Sequence, residues 1–320
     1  MPDAIEIDHV VKRYEGHVAV DDLSLRVPAG TVYGLLGPNG AGKTTTIRMI
    51  LDVIEPDEGR IRVLGAPNTA PGVIDRVGYL PEERGLYRKM QVRRVLRFLG
   101  QLKGLERREA DRRAGKWLER LGLVTAERDW GLAQVDDLSR GMQQKVQFIA
   151  ALLHDPELVI LDEPFSGLDP INAQALQDIV LELKRDGRTV VFSTHLMDNA
   201  ERLCDAVCII ARGRKVLDGP VAAVRADHAG RLVALEVGDD GRDAAEAVLR
   251  DAALVRGIRS TNRLLEVELA DDAHAQELLR RLVGAGVTVH RFALVQPSLG
   301  RIFIDRVGAA GAEEAGNGRV

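Results

Sequence analysis

The chain has 320 residues, 45% hydrophobic and 29% charged, which is enough apolar material for one large core and a smaller one. A net charge of −4 gives no electrostatic reason to expect nucleic acid as a partner. No apolar run reaches the roughly 18 residues of a spanning helix, and Met1, Pro2, Asp3 begin no signal peptide, so the expectation is a protein that is itself soluble.

In chain order, the first informative element is Thr31 to Leu36, TVYGLL, which reads as a buried strand. It runs into GPNGAGKTT, in which Gly37, Pro38, Asn39, Gly40, Ala41, Gly42, Lys43, Thr44 and Thr45 complete a phosphate-binding loop pattern. The three glycines permit positive φ and let backbone N–H groups approach phosphate oxygens where a Cβ would clash. The helix expected from Thr45 to Leu51 points its positive end at the same anion. Lys43 supplies a mobile ammonium for β and γ phosphates, and the Thr44 hydroxyl is the expected Mg²⁺ ligand. A glycine-rich turn that binds nothing is the bland alternative, and the strand before and helix after argue against it.

Between this loop and the next motif, arginines gather from Arg93 to Arg113, read as the solvated face of helices rather than as a docking or lipid-headgroup surface. Then comes the run Leu138, Ser139, Arg140, Gly141, Met142, Gln143, Gln144, Lys145, opening a helix expected from Met142 to Leu153. It is needed for neither nucleotide motif and implies a second copy of the chain. Leu158 to Leu161 form an apolar strand of the kind covered on both faces, and it ends in Asp162, Glu163, Pro164. In such sheets ligands gather at the carboxyl ends of strands, where the phosphate loop also emerges. Asp162 is the expected Mg²⁺-side acid, and Glu163 can polarise an attacking water. Cys204 and Cys208, on either side of a helix end and the strand Ala206 to Ala211, read as buried free thiols.

At this point residues 4 to 220 resemble the nucleotide-binding subunit of an ATP-binding cassette (ABC) transporter, with each family landmark in the family's order. The resemblance implies an α/β P-loop NTPase of ABC type: a mixed sheet core, an antiparallel β subdomain and a helical subdomain over about 85–155. It implies that ATP and Mg²⁺ are bound. Tyr14, in VVKRYEG, matches the aromatic that stacks on adenine. Ser139 and Gly141 belong to the family signature, and Ser166, Gly167, Leu168, Asp169 match its D-loop, which places Asp169 among the nucleotide-binding residues. His195 matches the switch histidine, at the end of a strand, Thr189 to Ser193, expected beside Asp162. With Lys43 and Glu163 it completes the catalytic set.

Two departures are visible. Glu82, in LPEERGLY, stands where the family usually has Gln, and as a carboxylate it is a possible Mg²⁺ ligand that also adds negative charge near the γ phosphate. Arg140 and Met142 replace a Gly and a Gln of the usual signature. Together these are similar to a subgroup of exporter ATPases of the sodium-extrusion type, which carry an added C-terminal domain.

Past Gly219 the pattern changes. Strands are expected over Arg231 to Val237, Ala253 to Ser260, Arg263 to Leu269 and Val287 to Val295, with helices over Arg242 to Arg250 and Ala273 to Val283. The order βαββαβ reads as a small α+β, ferredoxin-like unit, with a further helix over Ser298 to Val307. It holds no phosphate loop, and its histidines, His228, His274 and His290, are scattered, so it reads as a regulatory or dimer-stabilising domain. The expected division is 1–220 for the ATP-binding domain, 221–307 for this accessory domain, and 308–320 for a Gly, Ala and Glu rich disordered tail.

The resemblance implies ATP hydrolysis by a head-to-tail dimer with two ATP molecules between the copies, driving a separate integral membrane permease. The chain would then lie in the cytoplasm, peripheral on the inner face of the cell membrane. The alternative is a soluble ABC-type ATPase acting on nucleic acid or the ribosome. Long heptad coiled coils and a second cassette, which mark such proteins, are both missing from the sequence. A binding module that never hydrolyses fits less well, since Glu163 and His195 are both in place.

Overall fold

Residues 3–28 largely alternate apolar and polar side chains, and they form two long antiparallel strands, β1 (Asp3–Tyr14) and β2 (His17–Pro28). Leu23, Leu25 and Val27 lie on one buried face, as period-two alternation requires. Chain order continues with β3 (Val32–Leu36), α1 (Lys43–Ile50), β4 (Glu58–Val63), β5 (Ala66–Pro67) and β6 (Val77–Leu80). Then follow three helices, α2 (Val92–Leu102), α3 (Arg107–Arg120) and α4 (Arg140–Leu152), before β7 (Leu158–Asp162), α5 (Pro170–Arg185), β8 (Thr189–Thr194), α6 (Met197–Leu203), β9 (Ala206–Ala211) and β10 (Arg214–Pro220). This computed structural model describes residues 3–83, 85–227, 232–238, 241–261, 264–271 and 274–306. The tail over 308–320, expected to be disordered, and His228 lie outside the described residues.

Two sheets organise residues up to Pro220. A four-stranded antiparallel sheet has the order β2-β1-β4-β5. A six-stranded mixed sheet has the order β10-β9-β3-β8-β7-β6, parallel except for the β9–β10 hairpin at one edge. Every residue of β3, β7 and β8 is buried, which is why they show apolar runs, interrupted only by Thr, Ser and the terminal Asp162, rather than alternations. Register fixes the rest. Leu36 pairs with Thr194 and Asp162 with Ser193, so the ends of the three central strands stand side by side.

The helices between β6 and β7 pack by small apolar stripes. Ala110, Ala114 and Leu118, four residues apart, are the buried face of α3, and Val92, Val95 and Leu96 that of α2. The arginines here are largely engaged locally: Arg97 with Asp111 at 2.6 Å, Arg93 with Asp129 at 3.0 Å, and Arg112 and Arg113 both with Glu109 at 2.6 Å. Two helix starts differ from expectation. α1 begins at Lys43 because the loop turns directly into helix at Gly42, and α4 begins at Arg140 because the Ser139 hydroxyl caps it, accepting from the Met142 N–H at 3.3 Å.

Residues from Val221 on form a second unit. After α7 (Val221–Ala226) it runs β11 (Leu232–Val237), α8 (Arg242–Leu249), β12 (Val255–Thr261), β13 (Leu264–Leu269), α9 (His274–Gly284) and β14 (Val289–Val295), with residues 299–306 helical. The sheet order β12-β13-β11-β14, antiparallel throughout, is the ferredoxin-like arrangement. Val233, Leu235, Val267 and Leu269 pack against Leu249, Leu278 and Leu282 in a core of their own. β14 starts later than Val287 because Val287 still closes the end of α9, its N–H donating to the Leu282 carbonyl at 3.1 Å.

Candidate functional site

The loop between β3 and α1 is shaped by its glycines for two different reasons. A Cβ at Gly37 would lie 2.2 Å from the Ile210 carbonyl oxygen, and one at Gly42 would lie 2.4 Å from that of Ala19. Gly40 has open space around it but sits at φ 77°, in the left-handed region. Gly42 carries no side chain to cap α1, so the first N–H groups of the helix are left for an anion. Lys43 is buried, and its ammonium donates to the carbonyls of Gly37 at 2.7 Å and Pro38 at 3.1 Å.

The acid pair after β7 is held from β8. Ser193 Oγ donates to Asp162 Oδ1 and accepts from the Glu163 N–H at 3.0 Å. Asp162 is fully buried, and its second oxygen, Oδ2, has no protein partner. Glu163 is in the left-handed region at φ 49°, a conformation that costs a non-glycine residue about 1–3 kcal/mol. That twist turns its carboxylate away from Asp162 and toward Lys43 and His195. Glu163 Oε1 is 3.7 Å from Lys43 Nζ and 2.9 Å from His195 Nδ1. His195 follows β8 and is half-exposed, while Lys43 and Glu163 are buried.

A cavity of about 470 Å³ opens over this cluster. Its walls bring together Tyr14, Asn39, Gly40, Ala41, Gly42, Lys43, Thr44, Thr45, Glu82 and Glu163. Gly37 and Pro38 lie behind the loop, where their carbonyls hold Lys43. Tyr14 is half-exposed, with Lys12 Nζ 5.8 Å from its ring centroid. On β6, the Tyr79 phenol is pushed up to about 12 by burial first and by Asp162 second.

Asp162 and His195 are not among the cavity's lining residues, though His195 is bonded to Glu163, which is, and three further sequence-predicted residues stand apart from it. Ser139 caps α4, Asp169 caps α5 by accepting from the Asn172 N–H at 3.0 Å, and a Cβ at Gly141 would be 3.5 Å from Leu168 and 3.8 Å from Asn172. Ser139 and Asp169 are exposed. They form a second cluster, at the adjoining starts of two helices.

Sequence reading missed Ser193, which touches both acids, and His17 and Ala19, which line the cavity. A signal for Ser193 existed: a hydroxyl residue at the end of the strand expected beside Asp162. His17 and Ala19 carry no comparable mark, because only the sheet brings β2 against the loop.

A family model described as ABC transporter matches residues 20–166, and one described as the C-terminal domain of DrrA1-3-like ATP-binding proteins matches residues 219–307. The chain is 42% identical to the uncharacterized ABC transporter ATP-binding protein YhaQ of Bacillus subtilis, over 95% of this chain and 99% of that one. It is 34% identical to the daunorubicin resistance ATP-binding protein DrrA3 of Streptomyces coeruleorubidus, over 95% of this chain and 96% of that one. A solved ATP binding subunit of an ABC transporter superposes with a TM-score of 0.64 at 33% identity, covering 70% of this chain and 92% of that one. Sequence, fold and site geometry lead to one conclusion: the chain belongs to the ATP-binding proteins of ABC transporters and is an ATPase.

Proposed function

We propose that the chain hydrolyses ATP as a head-to-tail dimer and that this cycle drives a separate membrane permease. The observation that carries the reading is a separation within one chain. Lys43, Thr44 and Glu163 line the cavity, whereas Ser139, Gly141 and Asp169 stand outside it with Ser139 and Asp169 exposed. A serine hydroxyl and free N–H groups at a helix start are phosphate-binding groups, so a second copy brings them over the γ phosphate of ATP held by the first. Two ATP molecules then bridge two copies, and removing the γ phosphate removes the bridge.

Within each site Tyr14 stacks on adenine and the loop from Gly37 to Thr45 cradles the phosphates. Phosphate oxygens compete with the Gly37 and Pro38 carbonyls for the Lys43 ammonium. Glu163 orients the attacking water and takes its proton, the water oxygen bonds to the γ phosphorus in line, and the bond to the β-bridging oxygen breaks to leave ADP and phosphate. His195, hydrogen-bonded to Glu163, contacts the γ phosphate.

The residues present fit Mg²⁺. Asp162 Oδ2 is a buried oxygen without a protein partner, directly before Glu163 of the cavity wall, and Thr44 and Glu82 add hard oxygen donors on that wall. When bound, the ion would offset charge on the phosphoryl oxygens.

The permease docks beside Glu82. Just after that loop the exposed rings of Tyr87 and Phe98 meet edge to face at 5.5 Å, and Leu102 is 64% exposed, giving an apolar patch where conformational change at Glu82 would be felt. No helix among the described residues is long and apolar enough to cross a membrane. In this reading the permease is a separate chain, and this subunit works on the cytoplasmic face of the membrane. The relative named for daunorubicin resistance supports an outward direction of transport. Residues 1–220 are the motor, and 221–307 serve regulation or dimer stability. Solubilised membranes of the source cell, with this chain as bait, should yield one integral membrane protein in stoichiometric amount; recovery of ribosomes or DNA alone would overturn the permease reading.

A further inference from the structure

Two glutamines on the buried side of α4 each hold a loop that carries an acidic cavity residue. Gln144 Nε2 donates to the Pro164 carbonyl at 3.3 Å, directly after Glu163, and Gln147 Nε2 donates to the Glu83 carbonyl at 3.0 Å, directly after Glu82. They are three residues apart and so share one face of the helix whose start carries Ser139 and Gly141. Both are buried, at 6% and 4% exposure, among Val146, Phe148 and Ile149.

Gln147 is costly where it stands. Its Oε1 is buried and has no hydrogen-bond partner, and a buried polar atom left unpaired destabilises the fold. The amide cannot be turned over to relieve this, because the Glu83 carbonyl only accepts and therefore requires the NH₂ group. An apolar side chain of the same length would fill the position without that penalty. What it would lose is the hydrogen bond from α4 to the segment that sets Glu82 at the cavity wall.

We propose that Gln147 is a positioning residue for ATP hydrolysis: its amide fixes the Glu82–Glu83 segment to α4, so that the Glu82 carboxylate is placed at the cavity by the same helix that offers Ser139 and Gly141 to a second copy. Gln144 does the same for Glu163 through Pro164. Movement of the α4 start on or off a partner's nucleotide is thereby passed to the two acids of its own site. The proposal rests on the role given to Glu82 under Proposed function.

The test is a double-mutant cycle on the full chain with ATP and Mg²⁺, using Gln147→Leu, Gln147→Met as a second shape-matched variant, and Glu82→Ala. The expected result for either Gln147 variant is a folded protein melting at or above the parental temperature, KM for ATP within about twofold, and kcat reduced about tenfold. In the Glu82→Ala background the same substitution should change kcat by less than about twofold, because the residue it positions is gone. Gln147→Glu, which keeps length but loses the donor when ionised, should not restore kcat. Parental kcat in a folded Gln147 variant, or an equal loss in both backgrounds, would overturn the proposal. Parental kcat in Glu82→Ala alone would instead overturn the reading of Glu82 itself, and this proposal with it.

Discussion

Asp162 and Glu163 are adjacent carboxylates that the backbone sends in different directions. Asp162 ends β7 in extended geometry and is fully buried, while Glu163 takes φ 49° and swings toward Lys43 and His195. Ser193 stabilises the split by bonding to both residues. A second residue with a strained environment, His154, lies outside the cavity. Its Nε2–H donates to the Val77 carbonyl at 3.3 Å, its Nδ1 is buried without a partner, and burial first, then the Lys103 ammonium, hold the ring below its ordinary value of 6.5. A folded-state value lowered in this way means that the unfolded chain takes up the proton first. Stability is therefore complete above about pH 6.5 and declines as the pH falls from there toward the lowered folded value. Melting temperatures across this range should fall on the acid side, and His154→Gln should flatten that part of the curve; an unchanged slope in the variant would contradict the assignment. At this scale the phosphate loop and acid pair were legible because each is a local string with its own chemistry. His17 and Gln147 were not, since each acts on residues that only the fold brings near, and Ser193 was marked only by its place at the end of the strand expected beside Asp162.

The elements follow the same division. β3, β7 and β8 were readable because burial on both faces leaves four to six apolar or small residues in a row. At α4 and β14 the ends shifted because a cap or turn decides the matter, Ser139 in the first case and Val287 after α9 in the second. The antiparallel sheet before and after the phosphate loop was expected from resemblance alone, because the partner of β1 across that loop, β4, is about fifty residues away in sequence and the pairing leaves no local trace. Packing between elements can be tested at Gly78. A Cβ there would lie 2.2 Å from the Ala151 carbonyl oxygen and 2.8 Å from the Pro156 ring, so β6 and α4 approach each other backbone to backbone. Gly78→Ala should cost about 1–3 kcal/mol, read as a lowered denaturation midpoint, because neither neighbour is a flexible side-chain end. A midpoint equal to that of the parent would show that this contact has more room than the geometry gives it.

Over the whole molecule, the two units have separate hydrophobic cores, one built on the mixed and antiparallel sheets and one on the ferredoxin-like sheet. Removing residues 221–320 should leave a folded protein that binds ATP with an affinity within about tenfold of the full chain, checked by titration calorimetry; loss of binding in a folded product would mean that the second unit takes part in the site. The βαββαβ order of that unit was legible from alternating element types, whereas the strand order β12-β13-β11-β14 is a matter of topology that the structure supplies. The central claim concerns a still larger scale, the meeting of two copies across ATP. It is tested most directly by the sedimentation velocity of Glu163→Gln at saturating ATP and Mg²⁺. With the proton acceptor removed and the γ phosphate retained, the variant should sediment as a dimer with ATP and as a monomer without it. A monomer under both conditions, in a variant that binds ATP, would contradict the account.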